Sequence, residues 1–102
     1  MTFDEVRAVG LTFPHVIDGT SYGTPALKVK GKLLVRLRDD IDSIVLPMSF
    51  DSRDQLIAED PETYFITDHY AAYEYVLARL ARLNPGQLRD LLGVSYRIVT
   101  KG

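Results

Sequence analysis

The spacing of apolar and polar positions changes several times along the 102 residues, and each change marks an element. Thr2-Phe3-Asp4-Glu5 places a hydroxyl three residues before a carboxylate, the pattern of a capping box. Phe3, Val6 and Val9 follow near helical spacing, so a short helix is predicted. Gly10 is placed to end it, and Phe13-Pro14 bars its continuation. From Val16 the period changes. Val16-Ile17-Asp18 reads as a short strand, and Gly19 to Pro25, with two glycines and a proline, as loop. Ala26 to Lys30 alternates, Leu27 and Val29 against Lys28 and Lys30. Beyond a Lys30-Gly31-Lys32 turn, Leu33, Val35 and Leu37 oppose Lys32, Leu34, Arg36 and Arg38. Two alternating runs about a glycine turn predict a β-hairpin. Asp39-Asp40-Ile41-Asp42 is an acidic turn, and Ser43 to Met48 a third strand of an antiparallel meander.

Asp51 with Asp54 three places on predicts a helix over Ser52 to Ala58 that turns Leu56 and Ile57 inward. Asp60-Pro61 stops it. Thr63 to Ile66 reads as a strand and Thr67 to Ala72 as a connection. Tyr73 to Leu80 fits a strand with Val76 and Leu80 inward, or part of a helix from Tyr70 to Leu83; periodicity does not separate the two. Asn84, Pro85 and Gln87 then open a final helix, whose Leu88, Leu91, Leu92, Ser95, Tyr96 and Val99 form one stripe. This order predicts a single α+β domain over residues 1–102: a two-layer sandwich, with an antiparallel sheet carrying the N- and C-terminal helices on one face and solvent on the other.

Composition narrows the function classes. Cysteine is absent, which excludes a disulfide framework, thiolate metal ligands and a cysteine nucleophile. The 12 Lys+Arg against 14 Asp+Glu leave a net charge of −2, so the molecule as a whole exerts no pull on nucleic acid or anionic membrane. The acidic start is not followed by an apolar run, and no apolar stretch approaches the roughly 20 residues of a span, so a cytoplasmic location is expected.

Candidate chemistry is sparse. His15 and His69 stand alone without metal-ligand spacing. Asp39, Asp40 and Asp42 lack the glycine and closing glutamate of a calcium loop. Neither a metal nor a cofactor is expected. Thr20, Ser21 and Thr24 could bring hydroxyls together in the glycine-containing loop, but no general base is near in sequence apart from the two histidines. The feature with direction is a basic stripe. Lys28, Lys30, Lys32, Arg36 and Arg38 share parity on the hairpin, which puts them on one sheet face. Tyr73, Tyr75 and Arg79 join that face if residues 73–80 form a strand.

Gly19-Thr-Ser-Tyr-Gly-Thr-Pro-Ala-Leu-Lys-Val-Lys-Gly-Lys-Leu, Val35-Arg36-Leu37, Asp60-Pro61 with Tyr64-Phe65-Ile66-Thr67, His69-Tyr70 and Val76-Leu77-Ala78-Arg79-Leu80 together resemble the MmcQ/YjbR family of small bacterial proteins. The resemblance extends over almost the whole chain. It implies a fold like that of CyaY, the bacterial frataxin, and supports a strand for Tyr73 to Leu80. It also implies DNA binding, the label members usually carry, and brings no catalytic residues. This chain departs from the family pattern at Leu27, Ala72, Glu74, Tyr75 and Tyr96, and Glu74 adds an acid near the outer face. Frataxin-type iron binding uses an acidic first helix; here that helix has only Asp4 and Glu5, beside Arg7, so iron binding is not carried over.

These readings lead to a non-enzymatic module that binds DNA weakly and salt-sensitively through its sheet face. Lys28, Lys30, Arg36, Arg38 and Arg79 are the candidate phosphate contacts, and Tyr73 and Tyr75 the candidate stacking residues. The alternative is a protein partner on the same face or on the Thr67–Tyr73 loop, since Tyr and Arg favour interface hot spots.

Overall fold

α1 (Phe3–Gly10) begins at the capping box read from the sequence: the Thr2 hydroxyl accepts from the Glu5 amide, and the Glu5 carboxylate accepts from the Thr2 amide. The computed structural model describes residues 1–101. The last residue of α1, Gly10, is glycine for a steric reason and not to reach a left-handed conformation. The following residue keeps right-handed geometry, but a Cβ at Gly10 would collide with Leu27 Cδ1 on the sheet below.

β1 (Val16–Ser21), β2 (Thr24–Val29), β3 (Lys32–Arg38) and β4 (Ser43–Pro47) form the meander. α2 (Phe50–Glu59), β5 (Tyr64–Phe65), β6 (Tyr75–Arg79) and α3 (Pro85–Thr100) complete the chain. The six strands order as β1-β2-β3-β4-β6-β5, every neighbour antiparallel. The α+β sandwich is therefore as predicted, and residues 75–79 are strand. The helix-side core draws on Val6 from α1, Leu27, Val35, Ile44, Leu46 and Val76 from the sheet, and Leu88 and Leu92 from α3. Ser95, buried within the α3 stripe, donates to the Pro47 carbonyl at 2.7 Å, and this bond ties α3 to the end of β4.

Four expectations need correction. The segment Gly19 to Pro25 is mostly strand: β1 runs to Ser21 and β2 starts at Thr24, joined by Tyr22-Gly23 alone. Both turn residues have positive φ, 52° and 77°, the mirror-image turn whose twist matches that of paired strands. Lys30-Gly31 repeats the geometry at the next turn.

Second, the strict alternation assigned to β3 fails at Leu34. Leu27 pairs with Val35, but Lys28 pairs with Leu33, so Leu34 is an extra residue in a bulge. Leu34 and Val35 both enter the helix-side core. Leu33 turns to the outer face beside Lys28, while Lys32 lies opposite Val29 on the helix side. Lys30 sits in the turn itself. The five-residue basic stripe is thereby reduced to Lys28, Arg36 and Arg38.

Third, α2 starts at Phe50. The Ser49 hydroxyl accepts from the Ser52 amide, and the Glu74 carboxylate accepts from Phe50 N. Glu74 thus serves the positive end of a helix.

Fourth, the outer face is not left to solvent. The connection between β5 and β6 folds over it, burying Tyr70 to 8% exposure against Val45 and Leu77, with Phe65 and Tyr75 at the margin. Among the described residues no helix is long and apolar enough to cross a membrane.

Candidate functional site

Register places the outer-face side chains in rows. Arg36 lies opposite Val45, Val45 opposite Leu77, and Leu77 opposite Phe65. One row over, Arg38, Ser43 and Arg79 align; on the other side, Ile17, Lys28 and Leu33 do. Partners across antiparallel strands share a face, so Lys28, Arg36, Arg38, Tyr75 and Arg79 all point outward. Their surroundings differ.

Arg36 is held at three points by neutral groups. Its Nε donates to the Ser21 carbonyl at 3.2 Å and to Thr24 Oγ1 at 3.0 Å; one terminal nitrogen donates to the Tyr70 hydroxyl at 2.9 Å. The Tyr22 ring centre lies 5.2 Å from its guanidinium carbon. Among the described residues no carboxylate lies within ion-pair distance of it, and its second terminal nitrogen has no hydrogen-bond partner. Arg38 is otherwise engaged: two of its nitrogens grip Asp40 at 3.0 and 2.8 Å. That hydrogen-bonded pairing holds the Asp40 carboxyl below its ordinary range and raises the Arg38 guanidinium. Arg79 stacks on Phe65 at 4.1 Å and donates to the Glu62 carbonyl.

Around Arg36 the face sinks into a hollow of about 350 Å³, with walls supplied by Tyr22, Tyr70, Tyr73, Tyr75 and His69, and Leu33 and Val45 completing the lining. A second hollow runs on from it, sharing Tyr22, Arg36, His69 and Tyr70 and adding Arg38 and Asp68. The β5–β6 connection that makes one wall is anchored from beneath. Arg53 on α2, 7% exposed, donates to the carbonyls of Tyr73 at 3.0 Å and Ala71 at 3.3 Å. His69 stands edge-on to Tyr70, with ring centres 4.8 Å apart.

Of the seven residues singled out from the sequence, Arg36, Tyr73 and Tyr75 meet in this hollow, and Arg38 borders its neighbour. Lys28 lies beside it through Leu33, Arg79 stands over β5, and Lys30 is remote in its turn. Tyr22, Tyr70 and Leu33 escaped that reading as site residues. Tyr22 carries a legible signal, a bulky ring at a turn position that favours Asn or Gly; Tyr70 and Leu33 depend on a loop path and a bulge. No hydrogen bond joins either histidine to Ser21 or Tyr22, and no three of His, Cys, Asp or Glu cluster as metal ligands, among the described residues.

A twisted antiparallel sheet with helices on one face and a loop-walled hollow on the other defines the class. The YjbR family model matches residues 11–98, and the chain belongs to that family. The chain matches no curated protein. Its fold is similar to the crystal structure of a Deinococcus radiodurans protein with a DUF419 domain: TM-score 0.82, 22% identity, 98% of this chain and 79% of that one covered.

Proposed function

We propose that this protein is a non-enzymatic, cytoplasmic binding module that holds DNA against the outer face of its sheet, with Arg36 as the central phosphate contact. One observation carries the reading. Arg36 is a half-buried cation oriented by three neutral acceptors; among the described residues it makes no ion pair, and the nearby Asp40 carboxylate is gripped by Arg38 instead. A guanidinium held partly out of water with one nitrogen unpaired is satisfied by an anion whose oxygens accept charge-assisted hydrogen bonds. Lys28 flanks it for a neighbouring phosphate, whereas Arg38 is engaged by Asp40. The hydroxyls of Thr24 and Tyr70 both accept from Arg36, an arrangement that favours binding over nucleophilic chemistry.

The expected contact is weak. With few free cations and a net charge of −2, affinity is on the order of 10⁻⁵ M or weaker near physiological salt and rises as salt is lowered. Fluorescence anisotropy with labelled single-stranded and duplex DNA tests this. Arg36→Glu should abolish the signal while the protein stays folded by circular dichroism. If neither DNA binds at low salt, the reading is wrong. A protein partner on the same face is the second reading, supported by the exposure of Tyr22 at 91% and of Ile17 beside Lys28. A partner retained after nuclease treatment would favour it.

A further inference from the structure

The hollow has a more specific shape than a phosphate contact requires. Its walls are four tyrosines and a histidine, and its lining includes two aliphatic residues and one fixed cation, Arg36. At about 350 Å³ it falls within the roughly 300–1,000 Å³ of small-molecule sites, room enough for a planar ring. Such a site matches a flat apolar ring joined to an anion.

Tyr22 supplies an independent observation. It occupies the first position of the Tyr22-Gly23 turn at φ 52°, a left-handed conformation that a bulky side chain adopts against steric resistance. Asn or Gly would make the same turn without strain. The core gains nothing in return, because the side chain is almost wholly in solvent. What the ring does is overhang Arg36 and wall the hollow. Lys30 repeats the backbone geometry with a side chain far from the hollow, so it is the aromatic ring kept in solvent beside a fixed cation that points to a ligand. The facing wall is preformed as well, since Arg53 holds the carbonyl of Tyr73.

We infer that the hollow between the β1–β2 turn and the β5–β6 connection takes one unstacked base of single-stranded DNA, its phosphate meeting the free nitrogen of Arg36. This rests on the DNA reading above and makes it specific. A base within a duplex must be unpaired and unstacked to enter, whereas a single strand presents it at little cost. The protein should therefore favour single strand over duplex and tolerate different bases, because every base offers a stacking face.

The test compares four probes at one low salt concentration: an oligothymidine, a base-free oligomer of equal length and charge, a duplex, and free thymidine monophosphate. Oligothymidine should bind about tenfold more tightly than the base-free oligomer. Tyr22→Ala should erase that difference and leave weak, salt-sensitive binding; Arg36→Glu should remove both. Tyr22→Asn serves as the internal control for folding. It should raise Tm by relieving the turn while still losing the base preference. Equal affinity for oligothymidine and the base-free oligomer overturns the inference and leaves the DNA reading standing. Tighter binding to duplex also overturns it, as does monophosphate binding as strong as that of the oligomer, which would make the ligand a free nucleotide. Absence of binding to every DNA probe removes the reading beneath it.

Discussion

Arg36 and Arg38 are two residues apart, point to the same side of β3, and have opposite prospects as ligand contacts. Arg38 has its counter-ion in Asp40, whereas Arg36 is braced only by neutral oxygens. Asp40→Asn should therefore strengthen DNA binding severalfold and steepen its salt dependence, because it releases a second guanidinium; a titration at several salt concentrations reads both changes. Arg36→Lys should weaken binding almost as much as charge removal, since an ammonium lacks the planar fork that meets Ser21, Thr24 and Tyr70 together. Gly10 shows the same dependence on a single contact in the core. Gly10→Ala should destabilise by roughly 1–3 kcal/mol in chemical denaturation, as the added methyl forces α1 off Leu27.

Among the elements, the β2–β3 hairpin, α1 and α3 follow from local pattern; the β1–β2 hairpin, whose Gly19–Pro25 stretch reads as loop, and the β3 bulge do not. Leu33-Leu34-Val35 is an apolar triplet in which any phase can be inward, and the register with β2 decides that Leu34 and Val35 take the core while Leu33 lines the hollow. α2 shows a second limit. Ser49 and Asp51 are both good caps, and the carboxylate of Glu74, 24 residues from Phe50, helps decide for the earlier start. Its buried Arg53 reads in sequence as one more surface charge, yet it grips the backbone of the β5–β6 connection. Arg53→Met should leave those carbonyls unsatisfied, lowering stability by roughly 1–3 kcal/mol. Amide hydrogen exchange of the neighbouring connection should accelerate, and oligothymidine binding should fall with it although Arg53 touches no ligand.

Across the whole molecule, a small net charge is distributed unevenly. Lys28, Arg36, Arg38 and Arg79 share the outer face, while Glu59 and Asp90 border the hollow between α2 and α3 on the other. Asp40 and Asp68 lie on the outer side as well and α3 carries Arg89 and Arg97, so an anionic ligand is drawn weakly and locally, at Arg36. The Arg38–Asp40 pair also sets an acid limit. Because the Asp40 carboxyl is lowered in the fold, its stabilising contribution is complete above the ordinary carboxylate pKa of about 4 and is lost as pH falls through the lowered value. The stability difference between the native protein and Asp40→Asn should thus be constant across neutral pH and shrink only in acid, as denaturation at several pH values would show.

The periodicity of this sequence determined the α+β class, the capping boxes of α1 and α3, the Lys30-Gly31 turn and the inward stripe of α3, because each is specified by neighbours within a few residues. It also placed Arg36, Tyr73 and Tyr75 as one group. Tertiary structure alone decided that they surround a hollow. That hollow needs a bulge that rotates Leu33 outward and a hairpin tip that carries Tyr22 over Arg36. It needs as well a loop folded back across the sheet, tied at Tyr70 to β3 and at Arg53 to α2. These are contacts between residues up to 34 positions apart, with no local period to announce them.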